Sequence, residues 1–292
     1  MRDYPESMLV TNRIPLSEAE AALPLKKYWD MPLHKLAPLQ RQLVEAGPMD
    51  PSKATLPHNF TDLLRPVGYE EIEYGYCMMP DGTGYLAVYT TYPDCTPEML
   101  GWYFKWINIR SKSTPEGVGN IRYKIWNQAD HWDHGFINGV DKTDGIYTVE
   151  TLDLGAGQDK MAWTVRNALD PRDFGLSQER LDELKANGCF VDCCFESFHD
   201  MEDPSIRLPG THLFMTLSRI NPWGVLEKVT REWIGYGVKD GQIYRDETTP
   251  DWMLTEAYLK KVITHSTTEA LQLSKFLPQL YAEYKDLPLD AD

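Results

Sequence analysis

Apolar and polar residues recur with two different periods along this 292-residue chain, and the change of period divides it. Over residues 1–68 the spacing is helical. Ser17 stands as a cap ahead of strong helix formers up to Ala22, a second run covers 36–46 and stops at Gly47 and Pro48, and Phe60 to Leu64 makes a third. From residue 69 the period falls towards two. Strands are predicted over 69–76, 85–90, 122–126, 145–152, 189–195, 212–219 and 228–236, with Asp81 to Gly84 as a hairpin turn. Helices interrupt them. Thr96 caps and Pro97 opens an aromatic helix to Trp106, Ser177 caps another to Ala186, and 251–284 is helical with a pause at Pro278. The fold expected is α+β: an antiparallel sheet closing on a long C-terminal helix, a helix-grip arrangement over 69–292, preceded by a helical N-terminal subdomain over 1–68.

Composition narrows the function classes. A hydrophobic fraction of 42% is ordinary for a globular chain, and no apolar run approaches the roughly 20 residues of a membrane span. Met1 to Glu6 lacks the basic start and apolar core of a secretory signal, so a soluble, cytoplasmic protein with no membrane partner is expected. A net charge of -15 repels phosphate backbones and argues against nucleic acid. Five cysteines, an odd number, read as reduced thiols. Cys189, Cys193 and Cys194, with His199 nearby, imitate a soft-metal site, but they lie in an apolar strand-like run and read as core packing. Nine Trp, sixteen Tyr and nine Phe fit either a bulky core or a pocket for a planar ligand.

The candidate chemistry lies in the few histidines. His265 and Glu269, four apart on a predicted helix, leave the same face and offer two ligands to one divalent ion. His131 and His134 follow in a predicted turn beside Asp130 and Asp133, and Glu150 ends an alternating run. Together they allow a site of mixed nitrogen and oxygen ligands. Each has a plainer reading: a solvated helix face, a solvated loop, an outward strand carboxylate. His212 heads an apolar strand, while Tyr123 and Tyr236 sit on predicted strands, and all three read equally as structural residues. There is no Gly-x-Ser-x-Gly elbow, phosphate-binding loop or dinucleotide fingerprint.

Three blocks carry a resemblance. Met99-Leu100-Gly101-Trp102-Tyr103-Phe104, then Arg122 to His131, then His265-x3-Glu269 leading to Phe276-Leu277-Pro278-Gln279-Leu280-Tyr281, resemble in order the diacetylphloroglucinol and phloretin hydrolase family over about 69–284. The resemblance implies a helix-grip fold like that of the birch-pollen allergen (Bet v 1) group, with a helical N-terminal part closing a hydrophobic pocket. It implies a bound Zn2+ and hydrolysis of the carbon–carbon bond joining an acyl group to a phloroglucinol ring. The ligands carried over are His131, His265, Glu269 and Glu150; Tyr123 matches a substrate-contacting tyrosine, with His212 and Tyr236 as counterparts of other polar pocket residues. Two departures sit beside the metal: His134 replaces an Asn of the family pattern, and the interval from His131 to Glu150 is short.

The leading expectation is metal-assisted retro-Claisen cleavage of a small hydrophobic aromatic substrate. Zinc serves as the Lewis acid, Tyr123 and Tyr236 orient phenolic oxygens, and His212 or His134 carries a proton to the departing carbon. By resemblance the enzyme is a homodimer. Two other readings remain: a metal-dependent aldol, dehydration or cyclisation enzyme acting on a polyketide-like intermediate with His134 as base, and a carrier of hydrophobic aromatic ligands.

Overall fold

Ten strands follow Tyr74 among the residues that a computed structural model describes, namely 10, 12–33, 35–114, 119–137, 145–151 and 163–291. One antiparallel sheet holds eight of them: β1 (Gly75–Met78), β2 (Gly84–Tyr92), β3 (His131–Phe136), β4 (Ile146–Glu150), β5 (Trp163–Ala168), β6 (Phe190–His199), β7 (Arg207–Ile220) and β8 (Leu226–Ile234). Their spatial order is β1-β2-β8-β7-β6-β5-β4-β3, so β1 and β3 form the edges. A separate ribbon pairs β9 (Tyr236–Lys239) with β10 (Gln242–Arg245). The helices are α1 (Glu18–Ala21), α2 (Lys26–Trp29), α3 (Pro38–Glu45), α4 (Pro97–Trp106), α5 (Ile121–Lys124), α6 (Gln178–Ala186) and α7 (Glu256–Tyr284). The molecule is thus α+β, a large antiparallel sheet with a long C-terminal helix. Among the described residues no helix is long and apolar enough to cross a membrane.

The two faces of the sheet are built differently. Outward residues of β7 and β8, including Leu213, Met215, Leu217 and Trp233, pack on Phe60, Leu63 and Leu64 and on Leu184 of α6 in one apolar cluster. On the other face α7 lies over β1 and β2, with Leu259, Val262 and Ile263 against Tyr76, Leu86 and Val88. Further along α7, Leu273, Phe276 and Leu280 join Tyr103 and Trp106 of α4 and Leu25 and Tyr28 from the N-terminal segment. Lys124 and Glu20, both buried, form a 2.8 Å ion pair that ties α1 to α5. A cavity lies between α7, which lines it with Tyr258, Val262, His265, Ser266 and Glu269, and the inner face of the sheet.

Several expected elements differ. Residues 122–126 are not a strand: Asn120 caps a helix by accepting from the Arg122 N–H, and Ile121 and Ile125, four apart, share one buried face. His131 to Phe136 is a strand rather than a turn, and β5 was not foreseen. The first strand begins at Gly75 instead of 69, and Leu152 lies outside the described residues. α7 begins at Glu256 and does not pause at Pro278. A proline there leaves the carbonyl four residues back without its helical donor. The Cys95 thiol supplies a weak substitute, 3.8 Å from the Ser274 oxygen.

Candidate metal centre

β3 and β4 pair with His131 opposite Glu150, so these side chains share a sheet face. In a regular strand His134, three residues on, would face away from His131. A bulge between His131 and Asp133 inserts one extra residue and turns both imidazoles to the same side. Tyr123 of α5 lies against both, with ring centroids 3.9 Å from His131 at 4° and 4.7 Å from His134 at 19°. From the opposite side α7 presents His265 and Glu269 one turn apart.

Three donor atoms face one another, and a fourth stands beside one of them. His131 Nε2 is 3.3 Å from His265 Nε2 and 3.4 Å from Glu269 Oε2; His265 Nε2 is 3.7 Å from Glu269 Oε2 and 3.5 Å from Glu150 Oε2. His131, His265 and Glu269 form the tight group, all donors within 4.8 Å, and Glu150 closes it from the His265 side. Ligands of one divalent ion at about 2.0–2.2 Å stand only a few ångströms apart, so the three donors of the tight group are close enough to share a metal. Each histidine also has its second nitrogen engaged. His131 Nδ1 faces the Tyr123 carbonyl at 3.2 Å, and His265 Nδ1 faces Asp130 Oδ2 at 2.9 Å. Protons held at Nδ1 leave both Nε2 lone pairs aimed at the common centre, the arrangement of ligating imidazoles. The Tyr123 hydroxyl donates to Glu150 Oε1, leaving Oε2 for the centre. The donor set therefore fits a borderline divalent cation.

The field at this point favours positive charge. Burial alone would lower the His265 imidazole, but Glu150, Asp130 and Glu269 outweigh it and push it up to about 10. Burial would raise Glu269, yet His131 and Lys228 hold its carboxyl below the usual range.

Beside the centre lies a cavity of about 150 Å³ against the inner face of the sheet. Alternating residues line it: Thr148 and Glu150 from β4, Glu196 and Phe198 from β6, His212, Phe214 and Thr216 from β7, and Lys228, Thr230 and Glu232 from β8. His212 Nε2 is 3.0 Å from Glu232 Oε2, an ion pair rather than a well-aligned hydrogen bond, and its Nδ1 is 3.9 Å from Glu196 Oε2. Burial opposes charge on His212, but Glu232, Glu196 and Glu150 raise its pKa. His134 behaves oppositely. Burial, Arg166 and His131 drive it down to about 3, so it is a neutral imidazole whose Nε2 sits 2.6 Å from Asn108 Oδ1. None of the described residues before Val88 lines the cavity.

Of the residues singled out from sequence, His131, Glu150, His265 and Glu269 converge, and Tyr123, His134 and His212 line the same cavity or its wall. Tyr236 does not join them. It follows Gly235, whose φ of +92° turns the chain out of β8, packs with the outer cluster and donates its hydroxyl to Asp81 at 2.6 Å. Tyr123 reaches the cavity from a helix, not a strand. Cys193 joins the outer core while Cys194 lines a chamber on the inner face, as neighbours on a strand must, so the cysteines cannot converge on an ion; all five are free thiols. Asp130, Glu196 and Glu232 were missed. Polar residues at alternate positions of β8, Lys228, Thr230 and Glu232, are the signal that would have found the last; Glu196 stands between Cys194 and Phe198 on its face of β6 and carries no such signal.

With this geometry in place, comparison with known proteins is informative. Phloretin hydrolase of Eubacterium ramulus is 25% identical over 290 residues, spanning 94% of this chain and 95% of that protein. The profile of the DAPG hydrolase PhiG domain matches residues 56–282, which takes in β1 to β8, α5 and nearly all of α7. The chain belongs to the DAPG hydrolase PhiG domain family.

Proposed function

We propose that this protein is a metal-dependent hydrolase that cleaves the carbon–carbon bond between an acyl group and a phloroglucinol-like ring. The observation that carries the reading is the convergence of His131, His265 and Glu269, with Glu150 beside them, at a partly aromatic cavity that also holds His212 paired with Glu232. His131, His265 and Glu269, with Glu150 as the fourth, would hold the cation, and their two imidazoles and two carboxylates suit zinc. A divalent ion there supplies Lewis acidity towards the substrate's oxygens.

The chain's own groups do the rest. Tyr123, kept protonated by burial and by Glu150, fixes that carboxylate and stacks on the His131 imidazole. His212, paired with Glu232 and Glu196, holds its proton more firmly than a free imidazole would and is the proton carrier of the cavity. Water adds its hydroxyl to the acyl carbonyl carbon, the bond to the ring breaks with its electron pair on the ring carbon, that carbon takes the His212 proton, and the second proton of the water restores His212. The products are a carboxylic acid and the deacylated ring. His134, neutral and bonded to Asn108, serves as a hydrogen-bonding wall rather than as the acid. The same reading takes the sheet and α7 as a helix-grip fold, residues 1–68 as a subdomain, and the protein as a cytoplasmic homodimer.

The test is incubation of metal-loaded protein with a panel of acylphloroglucinols, followed by mass spectrometry. Release of a carboxylic acid and a lighter ring product supports hydrolysis. Conservation of mass, or loss of water alone, indicates cyclisation or dehydration instead, and tight binding without turnover indicates a carrier.

A further inference from the structure

Lys228 of β8 lines the cavity beside the metal ligands with little to pair with. Among the described residues its ammonium donates no hydrogen bond, and the one carboxylate it pairs with, through Glu269 Oε1, stands at 3.9 Å, beyond hydrogen-bond reach. Directly opposite it on β7 is Ser218, 2% exposed, whose hydroxyl has no partner among the described residues. Both side chains line the cavity, and residues so opposed hold their Cβ atoms about 4.5–5.5 Å apart. We propose that Lys228 and Ser218 form an anion subsite that receives the negative oxygen developing on the acyl group, and then the carboxylate of the released acid. The assignment rests on the hydrolase reading above.

Charge and position both support the subsite. When Glu269 serves as a metal ligand its negative charge is shared with the cation, and Lys228 is left as an ammonium only 14% exposed with no counter-charge of its own. A charge in that setting is costly until an anion joins it. Ser218, a buried hydroxyl without a partner, gains from the same anion the acceptor it lacks. Lys228 and Glu232 lie four residues apart on one face of β8, about 13 Å between Cα atoms, and Glu232 is the carboxylate paired with His212. The ammonium and the acid therefore stand towards opposite ends of this wall, His212 serving the ring carbon and Lys228 the acyl oxygen. Addition of the water's hydroxyl moves the carbonyl π pair onto that oxygen, where fixed donors stabilise it. The pair returns to the carbonyl as the bond to the ring breaks, and the acid so formed releases its proton to solvent, leaving a carboxylate on the same two donors.

The experiment compares wild type, Lys228→Met, Lys228→Arg and Ser218→Ala in two arms. The first measures binding of acetate, and of neutral acetamide as a control, to zinc-loaded protein by calorimetry. Lys228→Met is expected to bind acetate about tenfold more weakly than wild type, Ser218→Ala a few-fold more weakly and Lys228→Arg nearly as well, with acetamide alike in all. The second arm measures kcat/KM on monoacetylphloroglucinol, which Lys228→Met is expected to lower about a hundredfold. Elemental analysis checks that the variant keeps its zinc, since a lysine that acted only by supporting Glu269 would lose metal when replaced. Should Lys228→Met fold poorly, Ser218→Ala and Lys228→Arg carry the comparison. No acetate binding by wild type, acetate affinity within about twofold in Lys228→Met, or zinc lost from that variant overturns the subsite. Absence of turnover with acetate binding that still depends on Lys228 instead overturns the hydrolase reading alone.

Discussion

Replacing Tyr123 by Phe isolates the support of the metal centre from the ligands themselves. The ring that stacks 3.9 Å from His131 is retained, so only the hydroxyl donated to Glu150 Oε1 is removed. A hydrogen bond to a charged acceptor contributes about 1.5–3 kcal/mol, equivalent to about 10–150-fold in an equilibrium constant. Loss of an outer-shell partner typically weakens metal binding by about 10–100-fold, which agrees. The Glu150 side chain is 25% exposed, so water recovers part of the loss and the lower end applies: about tenfold weaker zinc binding. Competition against a chromophoric chelator at fixed pH measures it, with thermal unfolding of the metal-free proteins as a control. Zinc affinity within about twofold of wild type would refute the assignment of Glu150 as a ligand positioned by Tyr123.

Glu232→Gln removes the carboxylate nearest His212, whose pKa is raised in the folded protein. A group raised in this way holds its proton, and the stability of its ion pairs, below the unfolded value near 6.5, and loses both as pH climbs through the folded value. The alkaline limb of kcat should therefore move about 1–2 pH units lower in the variant, and an unmoved limb removes His212 as the acid. Phe276→Ala empties a fully buried site between Tyr28 and Tyr103, each 5.9 Å away, and should cost about 3–5 kcal/mol in urea unfolding. A loss below about 1 kcal/mol would mean the junction of α4 and α7 is not a packed core.

The parts of the fold legible from sequence were those in which one local pattern dominates. The hairpin at Gly82, the Thr96 and Ser177 caps and the amphipathic run of α7 each carry their own signal. The failures cluster around the cavity, and the reason is physical. β3 and β5 carry His134, Thr164 and Arg166 towards polar space instead of an apolar core, which erases the alternation that marks a strand. Ile121 to Lys124 is too short for its period to be read, and its helix is set by the Asn120 cap and by burial of Tyr123 against His131. His265 and Glu269 were visible because four residues on a helix fix their relation. That His131 pairs with Glu150 depends on a register and a bulge between strands, neither of which a single chain announces. The resemblance to a hydrolase family offered His131 and Glu150 as ligands without either feature, and it also offered Tyr236, whose hydroxyl lies at Asp81 on the outer side of the sheet.

Elemental analysis bears most directly on the convergence of imidazoles and carboxylates beneath α7. Protein stripped with a chelator, incubated with zinc and passed through a desalting column should retain about one ion per chain, whereas the double variant His265→Ala, Glu269→Ala, folded by circular dichroism, should retain none. Wild type that emerges without zinc, or a double variant that keeps a full equivalent, contradicts the proposed centre.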